Sequence, residues 1–380
     1  MRVEVKPELL RWALERNGFE PGDVAGRLPR VPEWISGKTK PTLKQLEAFA
    51  TATHTPIGYL FGSEPPVERV PIPDFRTIAG TGVARPSPDL LDTVYLCQVR
   101  QDWYHDFART EGEPPLSFVG SAQVGDDVVR TADAMRDALG FDLDERREAP
   151  TWTDALRLFI GQTDEAGILV MVSGVVGSNT RRVLKPEEFR GFALADDLAP
   201  LVFINGADSK AAQMFTLAHE LAHIWIGQSA LSDAQALIAP AHHVERWCNQ
   251  VAAELLVPLD LIRGDFDARA DLSSETARLA RRFKVSALVV LRRIFDAGGL
   301  SREEYWAAYE SKVEELKAIA KGSGGNFYLT HAVRLSRRFA RALIGSTLEG
   351  HTLYRDAFRM LGVSKDATFR KLSENLGYRV

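Results

Sequence analysis

Between Pro7 and Phe61 the apolar positions recur at helical spacing in short bursts. Leu9, Leu10 and Ala13 follow Pro7, whose ring suits the first turn of a helix, and Pro41-Thr42 opens a later helix in the same stretch. Residues 62–90 then gather Gly62, Pro65, Pro66, Pro71, Pro73, Gly80, Gly82 and Pro86, the composition of an extended connector. An apolar stripe through Leu91, Val94 and Tyr95 predicts a helix from Pro88 to about Arg109, and two more are expected over 122–140 and 151–166. There the period changes. Residues 167–176 form a short β-branched apolar run, and 191–195 with 201–205 read as a hairpin across the turn at 196–200, so a small sheet of about three strands is predicted. Helical periodicity returns from Ser209 to about Lys321, breaks at the Gly/Ser-rich 321–326, and resumes in a last block over 327–380. The pattern is that of an α+β protein, mostly helical, in four parts: an all-α domain at 1–62, a linker at 63–90, a larger domain at 91–321 that holds the sheet, and a helical domain at 322–380.

Composition narrows the class without naming a function. With 380 residues, 45% of them hydrophobic and 26% charged, the chain is long enough for more than one core, which excludes disordered, collagenous and coiled-coil classes. The net charge of -4 predicts no partner by itself. Two cysteines, Cys97 and Cys248, are far too few for a disulfide scaffold and point to a reducing compartment. Arg2, Glu4, Lys6, Glu8 and Arg11 stand where a secretory leader would be apolar, and no run approaches the roughly 18 apolar residues of a membrane span, so a cytoplasmic protein is expected. Charge is uneven, however. The last block carries Arg334, Arg337, Arg338, Arg341, Arg355, Arg359, Lys365, Arg370, Lys371 and Arg379 against Glu349, Asp356, Asp366 and Glu374.

The sharpest chemical signal lies in FTLAHELAHIW, residues 215–225. His219 and His223 stand at i and i+4 on one helical face with Glu220 between them, the spacing that lets two imidazoles bind one zinc. The competing reading is a core helix whose histidines are satisfied by hydrogen bonds. Context favours the metal, because the segment follows a predicted hairpin, has apolar flanks, and is followed by further candidate ligands. A catalytic zinc takes three protein ligands and keeps one position open. His242, His243, Glu245 and Glu254 are the candidates for the third. Glu245 is preferred, since it shares a helical face with Asn249, which would act as a polar support behind the ligands, whereas Glu254 lies about 180° round the same helix. Glu220 is then the general base of peptide-bond hydrolysis. His242 or His243 is placed either to stabilise an oxyanion or merely to start the helix in solvent, and Cys248 reads as a small buried residue close enough to the metal for thiolate chemistry to be considered.

MFTLAHELAHIWIG at 214–227 together with VERWCNQVAAELLVP at 244–258 resembles the ImmA/IrrE family of bacterial metallopeptidases, and residues 278–298 are similar to the helical segment that closes that family's domain. The likeness covers roughly residues 150–300. Members are gluzincin-like proteases that cut a helix-turn-helix repressor, so the resemblance implies Zn2+ held by His219, His223 and Glu245, with Glu220 as base. Asn249 occupies the position where thermolysin-like relatives carry Asp, and Asn is usual in this family.

The flanking blocks suggest what the site serves. Residues 9–61 resemble the XRE class of helix-turn-helix domains through Leu10, Val24-Ala25, Trp34, Gly37, Pro41-Thr42, Leu46 and Ala50. The segment matching a recognition helix, 31–37, is short and carries Glu33 and Trp34 where base readout wants Arg, Lys, Asn or Gln. Phosphate contacts are expected from Arg27, Arg30, Lys38, Lys40 and Lys44, with protein docking or dimerisation as the alternative role. Residues 354–377 read as helix, tight turn, helix through Ala357, Leu361, Gly362, Val363 and Ser364, a basic unit suited to nucleic acid or to an acidic partner. Together the parts predict a zinc metalloendopeptidase acting on a regulatory protein of stress, prophage or toxin–antitoxin systems. The alternative is an antitoxin or repressor that binds a cognate toxin or operator DNA, with the peptidase fold as a binding or sensing module. A plain transcription factor is a third reading, and a homodimer is compatible with each.

Overall fold

The computed structural model describes residues 2–74, 86–232, 242–319 and 335–378, with backbone alone for 316–319. The expected break at 321–326, the basic residues Arg334 and Arg379, and Gly80 and Gly82 of the linker lie outside the described residues. Two compact units are distinguished: residues up to Pro71 with 86–94, and Ile72–Asp74 with Tyr95 onward.

The first unit is all-helical. Helices α1 (Pro7–Glu15), α2 (Pro21–Ala25), α3 (Val31–Ile35) and α4 (Leu43–Ala52) precede a 3-10 turn at Ile57–Phe61. Thr42 caps α4 reciprocally: its hydroxyl accepts Gln45 N–H at 3.3 Å while the Gln45 side chain accepts Thr42 N–H at 2.9 Å. Leu9, Leu10, Val31, Trp34, Leu46, Phe49 and Leu60 make the core, with Trp34 edge-on to Phe49.

The second unit opens with α5 (Pro88–Glu111, from Tyr95 on), α6 (Val128–Leu139), α7 (Leu143–Glu148) and α8 (Trp152–Glu165). The helix expected over 122–140 is shorter than its apolar pattern. Asp127 accepts Arg130 N–H at 2.8 Å and so starts α6 late, and Gly140 closes it at φ 60. α7 follows at once, in a stretch too short and charged for periodicity to reveal.

The sheet has order β1-β3-β2-β4: β1 (Leu169–Ser173), β2 (Gly191–Leu194), β3 (Leu201–Asn205) and β4 (Ala230–Leu231). β1 runs parallel to β3, and β2 runs antiparallel to both β3 and β4. The predicted hairpin is β2–β3. The expectation of about three strands is corrected to four, because two residues carry no alternation from which β4 could be read. Every residue of β2 and β3 is buried, so the sheet has helical cover and reads as continuous apolar runs.

Behind the sheet come α9 (Lys210–Trp225), α10 (His243–Leu256), α11 (Leu259–Asp265), α12 (Leu272–Phe283), α13 (Ala287–Asp296) and α14 (Arg302–Ile319). α9 packs on β2 and β3, and α10 lies along α9 and α6, which makes this pair the centre of the main core. The last block holds α15 (Arg337–Leu348), α16 (Tyr354–Leu361) and α17 (Asp366–Asn375). It is tied to the body by polar contacts. Asp164 at the end of α8 accepts the Ser336 hydroxyl and Arg338 N–H, and the Arg338 guanidinium reaches Glu113 and the Tyr104 hydroxyl, both at 2.6 Å. No helix among the described residues is long and apolar enough to cross a membrane.

Candidate metal centre

α9 is buried on all sides from Gln213 to Trp225, the condition under which a helix must satisfy every polar side chain inside the protein. Its start is set by Ser209, whose hydroxyl accepts Ala212 N–H. At one side-chain face stand His219 and His223, and the first turn of α10 brings Glu245 to them. His219 Nε2 lies 3.2 Å from Glu245 Oε2, His223 Nε2 lies 3.0 Å from Glu245 Oε1, and the two Nε2 atoms are 3.2 Å apart. Three donors in tetrahedral directions at about 2.1 Å from one zinc stand about 3.4 Å apart, so the triangle fits that ion. Its chemistry fits as well: two imidazole nitrogens aimed at each other and at one carboxylate form a nest for a cation.

A polar support stands behind the triangle. His219 Nδ1 meets Asn249 Oδ1 at 2.8 Å, so that Nδ1–H donates outward and the Nε2 lone pair is turned toward the triangle. Without a metal the charges pair among themselves. Burial pulls the His219 pKa down, but the Glu245 carboxylate beside it prevails and lifts it to about 9. Burial would raise Glu245, yet the charge and hydrogen bond of His219 hold it well below the ordinary carboxylate range. His223 is lowered, chiefly by burial.

Glu220 sits beside this triangle. It is 0% exposed, and neither carboxylate oxygen makes a hydrogen bond. Burial pushes its pKa up to about 8, opposed by the charge of His219 and helped by that of Glu245. The space it occupies is kept by Gly191 on β2. A Cβ there would fall 2.6 Å from Thr216 Cγ2, 2.8 Å from the Phe203 carbonyl and 3.1 Å from Glu220 Oε1. Ser232 was not visible in the sequence as a site residue, because its place next to the base comes from β4.

The remaining candidates are placed elsewhere. Glu254 lies at the far end of α10, where its carboxylate pairs with Arg293 and accepts Leu259 N–H. His242 precedes α10 with its ring stacked on His243, and neither belongs to the donor triangle. Cys248 is fully buried and its thiol is raised well above the ordinary range by burial and by Glu245 and Glu220, so it is a thiol and not a thiolate. A second group, His105 with Asp196 and Asp197, is half-exposed. Asp196 there pins the β2–β3 turn, accepting Leu198 and Ala199 N–H at 2.9 and 2.7 Å besides meeting His105. In the first unit Arg27, Arg30, Lys38, Lys40 and Lys44 are all exposed, and Lys40 pairs with Glu4 at 3.2 Å. Val31 and Trp34 of α3 face the core, which leaves that five-residue helix little to read a base with.

Two family models match the chain. Residues 163–295, about a third of it, match the peptidase M78 model, described as an IrrE N-terminal-like domain, and the match takes in α9, α10 and the whole sheet. It supports the ImmA/IrrE family and a metallopeptidase-type function for this part of the chain. Residues 335–375, α15 to α17, match a domain of unknown function (DUF8813). No curated protein matches the chain.

Proposed function

We propose that the protein is a zinc-dependent endopeptidase that cleaves a regulatory protein of the repressor, antitoxin or toxin type. The observation that carries this reading is the buried triangle of His219, His223 and Glu245 with the unbonded carboxylate of Glu220 at its side. His219, His223 and Glu245 would hold the zinc, and Asn249 would orient His219. A bound zinc supplies Lewis acidity toward the scissile carbonyl. Glu220 takes a proton from the attacking water and hands it to the leaving amine, a task for which its unbonded carboxylate at the side of the triangle is placed. The buried site excludes bulk water from these groups, so their charges act at low dielectric. Operator DNA is proposed as a ligand of the flanking helical units, through Arg27, Arg30, Lys38, Lys40 and Lys44 at one end and the basic face of α16 and α17 at the other, and the cytoplasm as the place of action.

The test compares new protein N-termini in cells expressing the wild type or Glu220→Gln. New termini that depend on Glu220, with zinc retained in the variant, support the peptidase and name its substrate. A second reading is favoured by the polar ties that fix α15 to the body: the peptidase fold serves as a module that binds a partner toxin. On that reading Glu220→Gln keeps full function, and removal of α15 to α17 abolishes it.

A further inference from the structure

β4 is the edge of the sheet beside the base, since it pairs with β2, whose Gly191 stands against Glu220, a Cβ there falling 3.1 Å from Glu220 Oε1. Its inner side pairs with β2, through Ala193 with Ala230 and Phe192 with Leu231. Its outer side is already taken by the chain itself. Leu231 N–H donates to the Pro73 carbonyl at 2.9 Å, Asp74 pairs with Leu231 in a parallel bridge, and Ile72 is only 8% exposed.

We infer that Ile72–Asp74 is an internal strap on the backbone edge where a substrate peptide would pair, so the resting chain competes with its own substrate. The inference rests on the peptidase reading for the identity of that substrate. A peptide added to a sheet edge is held by main-chain hydrogen bonds whatever its sequence, and the Leu231 N–H serves one such peptide at a time. The strap is built to sit there without holding hard. Val70 and Ile72 each precede a proline and are thereby biased to the extended conformation. Pro71 and Pro73 have no N–H, so at these two positions the strap can only accept. Among the described residues its apolar anchor is Ile72. Pro71, the residue before it, belongs to the all-helical unit, so a single peptide bond joins that unit to the strap.

The experiment uses the full zinc-loaded chain with Ile72→Asp and Pro73→Gly together, which removes the anchor and the bias to extension, and with Ile72→Ala as a milder second variant. Three measurements are made: hydrogen exchange at the Leu231 amide, affinity for a labelled peptide of residues 67–74 in a Glu220→Gln background, and the rate of β-casein digestion with Glu220 intact. The expected result is at least tenfold faster exchange and at least tenfold tighter peptide binding in the double variant, with smaller shifts of the same sign in Ile72→Ala, because the competent fraction sets the apparent affinity. Casein digestion should rise with them. Unchanged exchange and unchanged peptide affinity in both variants overturn the strap, whatever happens to casein. If both rise while casein stays uncut in every chain, the strap stands and the peptidase reading falls.

Discussion

The two ends of α10 each bury a carboxylate, and they solve the problem differently. At its far end Glu254 is neutralised by the Arg293 guanidinium, a partner that stays charged. Arg136 reaches the Glu254 and Leu255 carbonyls, Arg146 the Leu256 carbonyl, and Arg293 also the Val257 carbonyl, so three guanidiniums gather where the helix leaves its carbonyls and its negative dipole end. The concentration of positive charge is itself costly: burial, with Arg136 adding to it, lowers the Arg146 pKa to about 9. At its near end Glu245 meets only two imidazoles, which must share protons to neutralise it. The first is a permanent ion pair; the second holds its charge only through a proton carried by His219, whose pKa the carboxylate lifts to about 9. The same residue type on the same helix is thus locked into an ion pair in one place and set in a group able to hold a metal ion in the other.

The largest expected effect that tests this contrast is metal content. The purified chain should carry about one zinc, and His223→Ala and Glu245→Ala should carry none, while Glu254→Ala keeps it. Zinc kept in Glu245→Ala but lost in Glu254→Ala would reverse the two roles. Next in size, Glu254→Ala leaves the Arg293 charge buried without its partner and should lower unfolding stability by about 3–5 kcal/mol in a denaturant titration, the usual cost of breaking a buried pair. A loss no larger than about 1 kcal/mol would place that pair among solvent-screened ones. Smaller still, Asn249→Ala should weaken zinc binding roughly 10- to 100-fold by freeing the His219 ring, measured by competition with a chelator. The smallest concerns the cysteines. Burial pushes the Cys97 thiol up to about 11 and Cys248 higher than its ordinary range, so at pH 8 both remain protonated in the fold. Iodoacetamide should label neither in the native chain and both in denaturant. Prompt native labelling of Cys248 alone would mean that the near end of α10 opens.

What could be read from the sequence follows the range of the interactions. His219 and His223 share a face by spacing alone, and Glu245 with Asn249 is selected over Glu254 by helical angle, because each argument stays within one helix. The β2–β3 hairpin is legible for the same reason, its two runs being joined by one turn. What escaped depends on partners far along the chain. Two residues become β4 only by pairing with β2, and Ser232 is carried to this side of the sheet only because β4 exists. Arg136, Arg146 and Arg293 come from three different helices to one helix end. Ile72–Asp74 reads as connector by every local criterion, and its backbone pairing with β4 leaves no trace in composition.

The tie between Asp164 and the start of α15 bears on how such a chain could be rearranged in evolution. Asp164 is 8% exposed, and its pKa is raised, chiefly by burial, in spite of the Ser336 hydroxyl and the Arg338 groups that favour its charge. Residue 164 falls inside the 163–295 match, whereas Ser336 and Arg338 fall inside the 335–375 match. A recombination event that carried off the peptidase segment alone would strand a carboxylate in a pocket made for two donors. The boundary seen by similarity is therefore not a seam in the folded protein. Descent should keep the two segments together, or should change residue 164 when it parts them.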